Sequence, residues 1–223
     1  MMVVQDPANT TPAKTGKLCV VCNSKNASDG SAQHGLALWA AAVALTPEHE
    51  RPLRYVDQHY WANAAMHSDG ETLEKTSKCC RSVLLEQITL LKPRVIIATG
   101  ELAAASLRGI GLLRREWPEF NRRLELGAYT ETVAMRDGHR VQVFCTYHQS
   151  RRSVNQTVAR YRYSDTTERL LAKKREALAD PAPIDAFLSH FPASATKGKG
   201  MRVLLLHWLD IGEAIRKAHE ETS

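Results

Sequence analysis

The sequence predicts an α/β protein: a three-layer α/β/α sandwich with a mainly parallel central sheet, followed by C-terminal helices. Two observations predict this class. Short apolar segments alternate with segments of helical periodicity as far as residue 145, and this order is typical of parallel sheets. From about residue 164 to residue 223 the pattern is helical only, which adds a helical extension to the same domain.

Three apolar segments predict the parallel strands. Lys17–Cys22 and Leu53–Val56 end at polar residues, and Arg94–Ala98 is the clearest buried strand of the chain. Between them we predict helices over residues 36–45 and 72–91. The second helix carries apolar residues at close to helical spacing, namely Val83, Leu84, Ile88 and Leu91.

A hairpin is predicted after a helix at 101–107 and an irregular stretch at 108–130. Asp137-Gly138 is a typical hairpin turn, and it separates predicted strands at 132–136 and 140–145. The turn makes this one pair of strands antiparallel.

The C-terminal third is predicted to contain three helices, at 165–179, 184–191 and 201–220. The segment 192–200, with two lysines and two glycines, predicts a flexible basic linker before the last helix. We expect that helix to pack on the core through Val203, Leu204, Leu206, Trp208 and Ile211.

The composition is that of an ordinary globular domain. The chain has 223 residues, of which 43% are apolar, and we assign residues 17–223 to a single domain. The polar segment 1–16 is predicted to be a flexible tail, and it lacks the apolar centre of a signal peptide. No run of about 18 uncharged apolar residues predicts a membrane span, so we expect a cytoplasmic protein without a membrane partner.

Charge and cysteine content indicate what the chain binds. A formal charge of +6 fits a polyanion such as nucleic acid, and no obligate protein partner is indicated. Five cysteines without secretory features are expected to be reduced thiols. Cys19 and Cys22 form a C-x-x-C pair that suits a metal, but their place in a predicted buried strand favours packing.

Two predicted strand ends carry the residues best suited to chemistry. Asn23 follows the first strand, and His148 follows the strand that ends at Cys145. Ligands of open α/β sheets bind outside the carboxyl ends of the strands, so both residues are expected to face one pocket. Asn23 also fits a turn residue, and His148 also fits a loop histidine bonded to the backbone.

Three motifs follow one another in a recognisable order. Asn23-Ser-Lys precedes Gly30-Ser-Ala-Gln-His-Gly35, residues 80–107 have a helix–strand–helix pattern, and His148-Gln-Ser150 follows the last strand. In this order they resemble the uracil-DNA glycosylase superfamily, over roughly residues 17–160. The first is similar to Asn-Pro-Gly and Gly-x-Ala-Gln-Thr-Gly of the single-strand-selective monofunctional class. The second resembles the bacterial iron–sulphur class, and the third resembles the family's His-Pro-Ser.

The chain departs from the family's motifs in three places. Ser24 and Lys25 replace the Pro and Gly of the first motif, and Gln149 replaces the Pro of the last. The second strand ends in Asp57-Gln58, where the family presents an Asn to uracil. The iron–sulphur class has two cysteines well upstream of the first strand, whereas this chain has its C-x-x-C within that strand. We therefore expect neither a cluster nor any other cofactor.

The resemblance implies a monofunctional DNA glycosylase, which hydrolyses the N-glycosidic bond of a flipped base and leaves an abasic site. It implies that Asn23 positions the attacking water and that His148 donates a hydrogen bond to the departing base. No lysine is placed to form a Schiff base, so lyase activity is not predicted.

Asp57 and Gln58 are expected to read the base. An ionised carboxylate only accepts hydrogen bonds, so Asp57 suits the exocyclic amine of cytosine better than O4 of uracil. Removal of plain cytosine would destroy the host genome, so we expect a modified cytosine. Some relatives resemble defence enzymes that excise glucosylated hydroxymethylcytosine from phage DNA. Asp57 also fits a strand-end cap for nearby backbone.

Further contacts to the base are assigned to Trp39 and Gln33. The family places a stacking aromatic near Trp39, although an apolar helix also explains this tryptophan. Tyr60 and Trp61, on a predicted loop at 60–70, are alternative stacking residues. Gln33 can bond to the base or to backbone.

The expected contacts to DNA come from polar and basic residues around these motifs. They are Ser150, Arg151, Arg152, Ser153, Lys25, Lys197 and Lys199. Arginine binds phosphate oxygens with two parallel hydrogen bonds. A solvated turn is the alternative explanation for residues 151–153, and a flexible spacer explains Lys197 and Lys199 as well.

Two other functions remain open at this point. Gln58 can read uracil through its amide, as in a uracil glycosylase of base-excision repair. A catalytically weak protein that binds DNA or senses damage is the alternative from another class. A nucleotide-binding module is not supported, because neither G-x-G-x-x-G nor G-x-x-x-x-G-K-[ST] occurs in the sequence.

Overall fold

The computed structural model describes residues 1–4, 61–63, 73–148 and 153–220. Within these residues the chain forms helices and a five-stranded mixed sheet, which confirms the α/β class. The strands predicted at 17–22 and 53–56, and the helix predicted at 36–45, lie outside the described residues.

The order of the strands in the sheet is β2-β1-β3-β5-β4. Neighbouring strands run parallel except for β4 and β5, which are antiparallel. The strands are β1 (Met2–Val4), β2 (Trp61–Asn63), β3 (Val95–Thr99), β4 (Tyr129–Ala134) and β5 (Arg140–Thr146).

Helices make up most of the rest of the described chain. They are α1 (Leu73–Cys79), α2 (Arg81–Leu91), α3 (Glu101–Gly109), α4 (Trp117–Phe120), α5 (Ala159–Tyr161), α6 (Asp165–Glu176), α7 (Ala182–His190) and α8 (Thr196–Glu220). A 3₁₀ helix (Asn121–Glu125) follows α4, and a π-helix (Ser153–Val158) precedes α5. In the part of the chain that the structure describes, no helix is both long and apolar enough to cross a membrane.

The first residues of the chain belong to the sheet. The flexible tail predicted for 1–16 is wrong for Met2–Val4, because this segment pairs with β2 on one side and with β3 on the other. Val3 is fully buried. Three residues are too few to show a strand period, and only pairing with distant segments makes them a strand. The loop predicted at 60–70 is likewise wrong at its start, because Trp61–Asn63 form β2.

The strand and the hairpin predicted from local pattern are confirmed. β3 is displaced by one residue from the predicted 94–98 and is buried along its whole length. The hairpin closes with a hydrogen bond of 2.7 Å from the amide of Met135 to the carbonyl oxygen of His139. Its turn includes Asp137-Gly138, as predicted, and β4 begins three residues earlier than expected.

The helix predicted at 72–91 is divided in two at Cys80. The Cys80 backbone remains close to helical (φ −80°, ψ −2°), so α1 and α2 follow each other with only a short interruption. The buried side chains at this point are Ser77, Cys80, Leu84 and Ile88, which continue one face across the break. The predicted apolar face is therefore only partly right, because Val83 and Leu91 are 43% and 45% exposed.

The stretch predicted to be irregular, 108–130, contains α4 and the 3₁₀ helix. Both are too short to show a helical period in the sequence. Phe120 and Leu124 are nevertheless fully buried. The ring of Phe120 stacks on Tyr129 of β4, with centroids 4.3 Å apart and 7° between the planes. This segment is therefore fastened to the sheet.

The last helix packs on the core as predicted but begins earlier. The five apolar residues named above for this helix are all buried, each at most 1% exposed. The flexible linker predicted at 192–200 is wrong, because α8 starts at Thr196. A side chain on Gly198 would collide with the carbonyl oxygen of Pro192, and one on Gly200 would collide with that of Val154. These glycines permit close packing of the helix rather than flexibility.

Candidate active site

The parallel strands β1, β2, β3 and β5 end at one edge of the sheet. Their registers place Val4 opposite Asn63, and Thr99 opposite Thr146. The Thr99 hydroxyl donates a hydrogen bond of 3.4 Å to the carbonyl oxygen of Val3, which joins β3 to β1. Ligands of α/β sheets bind beyond the carboxyl ends of the strands, so this edge is the candidate site.

His148 follows the end of β5 and lies against Gly100, the residue that follows β3. The amide of Gly100 donates a hydrogen bond of 2.8 Å to the carbonyl oxygen of Thr146. Gly100 has φ 91° and ψ 171°, a conformation that side chains rarely adopt. A Cβ at this position would lie 3.3 Å from the Cβ of His148. Glycine at position 100 therefore lets the half-buried His148 lie against the start of α3.

Behind the end of β5 lies His207 of α8, which is fully buried. Its Nδ1 is 2.8 Å from the Thr146 hydroxyl, and its Nε2 is 2.6 Å from the carbonyl oxygen of Leu124. A carbonyl oxygen only accepts, so Nε2 carries the proton and Nδ1 accepts from the hydroxyl of Thr146. Burial lowers the pKa of His207 to about 4, and the ring is therefore neutral at pH 7.

Tyr147, which lies between Thr146 and His148, is held by two parts of the chain. Its hydroxyl donates a hydrogen bond of 2.8 Å to Oδ1 of Asn121, and its ring meets Trp117 edge-on with centroids 5.8 Å apart. The same ring stacks on His207, at 5.7 Å and 26°. Burial raises the pKa of Tyr147 to about 12, so the hydroxyl remains a donor. Thr146 and Tyr147, the two residues before His148, are thus both held in place by contacts with His207.

The described cysteines are not arranged for metal binding. Cys79 is exposed, whereas Cys80 and Cys145 are buried. Burial raises the pKa of the Cys145 thiol, which keeps it protonated and unreactive. Within the described residues no group of three or more His, Cys, Asp or Glu side chains is placed to hold a metal ion. Cys19 and Cys22 lie outside them.

The predicted site residues that the structure describes are His148, Ser153, Lys197 and Lys199. Ser153 begins the π-helix five residues after His148, so their Cα atoms are at most about 18 Å apart. The other predicted residues lie outside the described part of the chain; these are Asn23, Lys25, Gln33, Trp39, Asp57, Gln58, Ser150, Arg151 and Arg152.

The first turn of α8 contacts the π-helix, which begins five residues after His148. Gly200 packs against Val154 of the π-helix. At the other end of α8, the Arg94 guanidinium donates a hydrogen bond of 2.9 Å to the carbonyl oxygen of Ala218. Because Arg94 directly precedes β3, α8 runs antiparallel to that strand and begins at its carboxyl end.

The two lysines of this first turn lie over aromatic rings. Nζ of Lys197 is 5.3 Å from the ring centroid of Phe191, and Nζ of Lys199 is 5.7 Å from that of Tyr163. These distances are within the range of cation–π attraction. The lysines therefore present charge from a helix, not from the flexible spacer that the sequence predicted.

His207 and Thr146 were missed by the sequence analysis. His207 lies between Leu206 and Trp208, in a run whose neighbours were correctly predicted to be core. The signal was present, since a histidine in an apolar helix needs polar partners if it is buried. Which partners it meets is not visible along the chain, because Leu124 and Thr146 are 83 and 61 residues away.

The family of the chain follows from comparison with known sequences. The model of the uracil DNA glycosylase superfamily matches residues 25–172, well over half of the chain. The chain belongs to the uracil DNA glycosylase superfamily. Neither a curated protein nor a solved structure gives a significant match to the chain.

Membership of the glycosylase superfamily supports a DNA glycosylase, with DNA as the substrate. The matched segment includes His148 and β2 to β5, and it extends into α6. Asn23 precedes the match by two residues. α8, with its buried His207 and two lysines, follows the match.

Proposed function

We propose that the protein is a monofunctional DNA glycosylase that excises a modified cytosine, flipped out of the DNA, and leaves an abasic site. The observation that carries the proposal is the superfamily match over residues 25–172, which includes His148 at the carboxyl edge of the sheet. The three-layer sandwich is part of the same proposal, as one domain that takes in the predicted residues 17–223 and also the strand Met2–Val4. The parallel pairings of β1, β2, β3 and β5 support it.

In the proposed reaction, water adds across the bond between C1′ of the sugar and the base nitrogen. The water oxygen bonds to C1′, and the base leaves with the electron pair and then takes up a proton. Negative charge therefore develops on the base, and a donor placed there lowers the barrier. His148 is assigned to that donation, and Asn23 to holding the water. The close contact of Gly100 with His148 supports a fixed position for the histidine.

Asp57 and Gln58 are proposed to select the base, with Trp39 and Gln33 beside it. A carboxylate at the Watson–Crick edge favours an exocyclic amine, which cytosine has and uracil lacks. Excision of unmodified cytosine would damage the host's own DNA. We therefore propose hydroxymethylcytosine or its glucosylated form in phage DNA as the substrate, met in the cytoplasm during antiviral defence.

DNA is proposed to lie along His148 and the first turn of α8. Lys197 and Lys199 belong to that turn, and Lys25 with residues 150–153 is also assigned to DNA binding. Basic contacts to phosphate release counterions, so binding is expected to weaken steeply as salt rises. The formal charge of +6 is consistent with this.

The proposal is tested by measuring abasic sites in four DNAs of one sequence. They contain cytosine, uracil, hydroxymethylcytosine or glucosylated hydroxymethylcytosine at one position, and alkaline cleavage reveals the product. Asn23→Ala and His148→Ala are expected to lose activity. His190→Ala, an exposed histidine at the end of α7, is the matched control and is expected to keep it.

Each outcome has a distinct meaning. Cleavage restricted to the modified cytosines supports the proposed substrate and a base-facing Asp57. Cleavage of uracil instead would make the protein a repair enzyme with Gln58 as the reader. Binding of all four DNAs without cleavage would overturn the enzymatic proposal and leave a DNA-binding member of the superfamily.

A further inference from the structure

A buried polar cluster lies behind the point where the chain leaves β5. It consists of Thr146, Tyr147, His207, Leu124 and Asn121, and it contributes no group to the proposed reaction. One member, His207, contacts both residues that directly precede His148. It accepts the hydrogen bond of the Thr146 hydroxyl at 2.8 Å, and its ring stacks on that of Tyr147.

The cluster has one consistent arrangement of donors and acceptors. The hydroxyl of Thr146 donates to Nδ1 of His207, and Nε2 of His207 donates to the carbonyl oxygen of Leu124. Leu124 belongs to the 3₁₀ helix, whose first residue, Asn121, accepts from Tyr147. The 3₁₀ helix therefore accepts one hydrogen bond from the Tyr147 hydroxyl and another from Nε2 of His207.

Packing alone does not require a histidine at position 207. The neighbouring buried residues of α8 are Val203, Leu204, Leu205, Leu206, Trp208 and Leu209, and His207 is the ionisable side chain among them in the described part of this helix. A fully buried polar ring is favourable only if its hydrogen bonds are made. Both of its bonds are made here, and they connect α8 to the end of β5 and to the 3₁₀ helix.

The carboxyl end of β5 is then held from two sides. On the sheet side, the amide of Gly100 donates to the carbonyl oxygen of Thr146 at 2.8 Å, and Gly100 lies close to the Cβ of His148. On the helix side, His207 holds the side chain of Thr146. Both contacts act on the residues that directly precede His148 or on its Cβ.

We propose that His207 is a positioning residue, which acts through Thr146 and Tyr147 to set where His148 meets the departing base. This inference rests on the proposed glycosylase function. A displacement of about 1 Å at a catalytic group lowers rates by up to about 100-fold. Loss of the Thr146–His207 hydrogen bond is therefore expected to lower the rate of base excision while DNA binding stays unchanged.

The test uses His207→Gln, Thr146→Val and the double variant in the full chain. Glutamine keeps an N–H near the position of Nε2, so the bond to Leu124 is retained while the acceptor for Thr146 is lost. Valine has the shape of threonine without the hydroxyl. In the double variant the Thr146 hydroxyl is removed together with its acceptor, so its melting temperature is expected to recover part of the loss caused by His207→Gln.

The expected result separates positioning from stability. The single-turnover rate constant of excision falls roughly 10- to 100-fold in all three variants, and the Kd for DNA stays within about twofold. Thr146→Ser, which keeps the hydroxyl, retains the rate. If the double variant recovers its rate together with its melting temperature, the cluster is only structural and the inference is wrong.

A second measurement does not depend on activity. In protein with ¹⁵N-labelled histidine, the ring signals of His148 are expected to shift or broaden in Thr146→Val, while those of the exposed His190 do not move. Unchanged His148 signals overturn the inference even if the protein is an active glycosylase. Perturbed His148 signals in a protein that cleaves none of the four DNAs support the positioning and instead reject the proposed function.

Discussion

The two ends of strand β5 are held by different kinds of interaction. At its start, the hairpin is fastened to α2 by an ion pair of 2.8 Å between Lys92 and Asp137, whose side chains are 60% and 42% exposed. At its end, Thr146 is fastened to α8 by a hydrogen bond between neutral groups, with both residues fully buried. Both contacts are direct, but the ion pair is exposed to solvent and the hydrogen bond is buried.

This difference decides what each contact contributes. An exposed ion pair gains little over hydration and is screened by salt, so the hairpin is joined to α2 only weakly by charge. A buried hydrogen bond has no competing water, and its loss leaves polar groups unsatisfied. The end of β5 that precedes His148 is therefore held in place more firmly than the start of the strand.

The largest expected effect is that of His207→Ala. It removes a buried ring and leaves the Leu124 carbonyl without its donor, so we expect the free energy of unfolding to fall by about 3–4 kcal/mol. The matched variant at the other end of β5 is His139→Ala, whose half-buried ring donates to the Pro93 carbonyl oxygen at 2.9 Å. We expect a loss of about 1 kcal/mol there. Urea denaturation measures both, and equal losses would contradict the comparison.

The second effect is a dependence of stability on pH. An unfolded histidine takes up a proton near pH 6.5, whereas folded His207 does so only near pH 4. Between these values the unfolded state binds one more proton, so stability falls as the pH falls, by about 3 kcal/mol in total. Above pH 6.5 this contribution is constant.

The variant His207→Gln isolates that contribution. Denaturation by urea from pH 7 to pH 4 should be less pH-dependent in the variant than in the wild type, since acidic groups contribute equally to both. If the two profiles run parallel through this range, His207 is not the neutral, buried group that the structure shows.

The third effect is that of a methyl group at Gly100. Alanine would be strained at φ 91° and would press on the Cβ of His148 at 3.3 Å, so we expect Gly100→Ala to cost about 2 kcal/mol. Gly111→Ala is the control, because φ is 81° there and nothing lies within 4 Å. We expect about 1 kcal/mol for this control. The difference reports the contact with His148 together with the strain of the Gly100 backbone at ψ 171°, and calorimetric unfolding of both variants measures it.

The smallest effect is expected for Asp137→Asn. The hydrogen bond from Lys92 lowers the pKa of this carboxyl, but the pair lies in solvent. The midpoint of urea denaturation should stay within experimental error at 0.1 M salt, roughly the ionic strength at which exposed charges are well screened. A clear loss of stability would show that the hairpin end is held as firmly as the end near His148.

Much of the fold was predictable from local pattern. The alternation and the Asp-Gly turn predicted the β4–β5 hairpin, the apolar run predicted β3, and helical spacing predicted the face of α8 that packs on the core. Each of these features depends on residues that are near one another in the chain, so the sequence carries it directly. The position of His148 after a buried strand was predictable for the same reason.

The remaining features were decided by contacts between distant segments. Met2–Val4 is a strand because β2 and β3, 59 and more residues away, pair with it. Gly198 and Gly200 lie in a helix because Pro192 and the π-helix approach so closely that only glycine fits. His207 acquires its partners from the end of β5 and from the 3₁₀ helix. Local composition cannot reveal such contacts, because a hydrogen bond or a close approach depends on where the partner folds and not on the residues beside it.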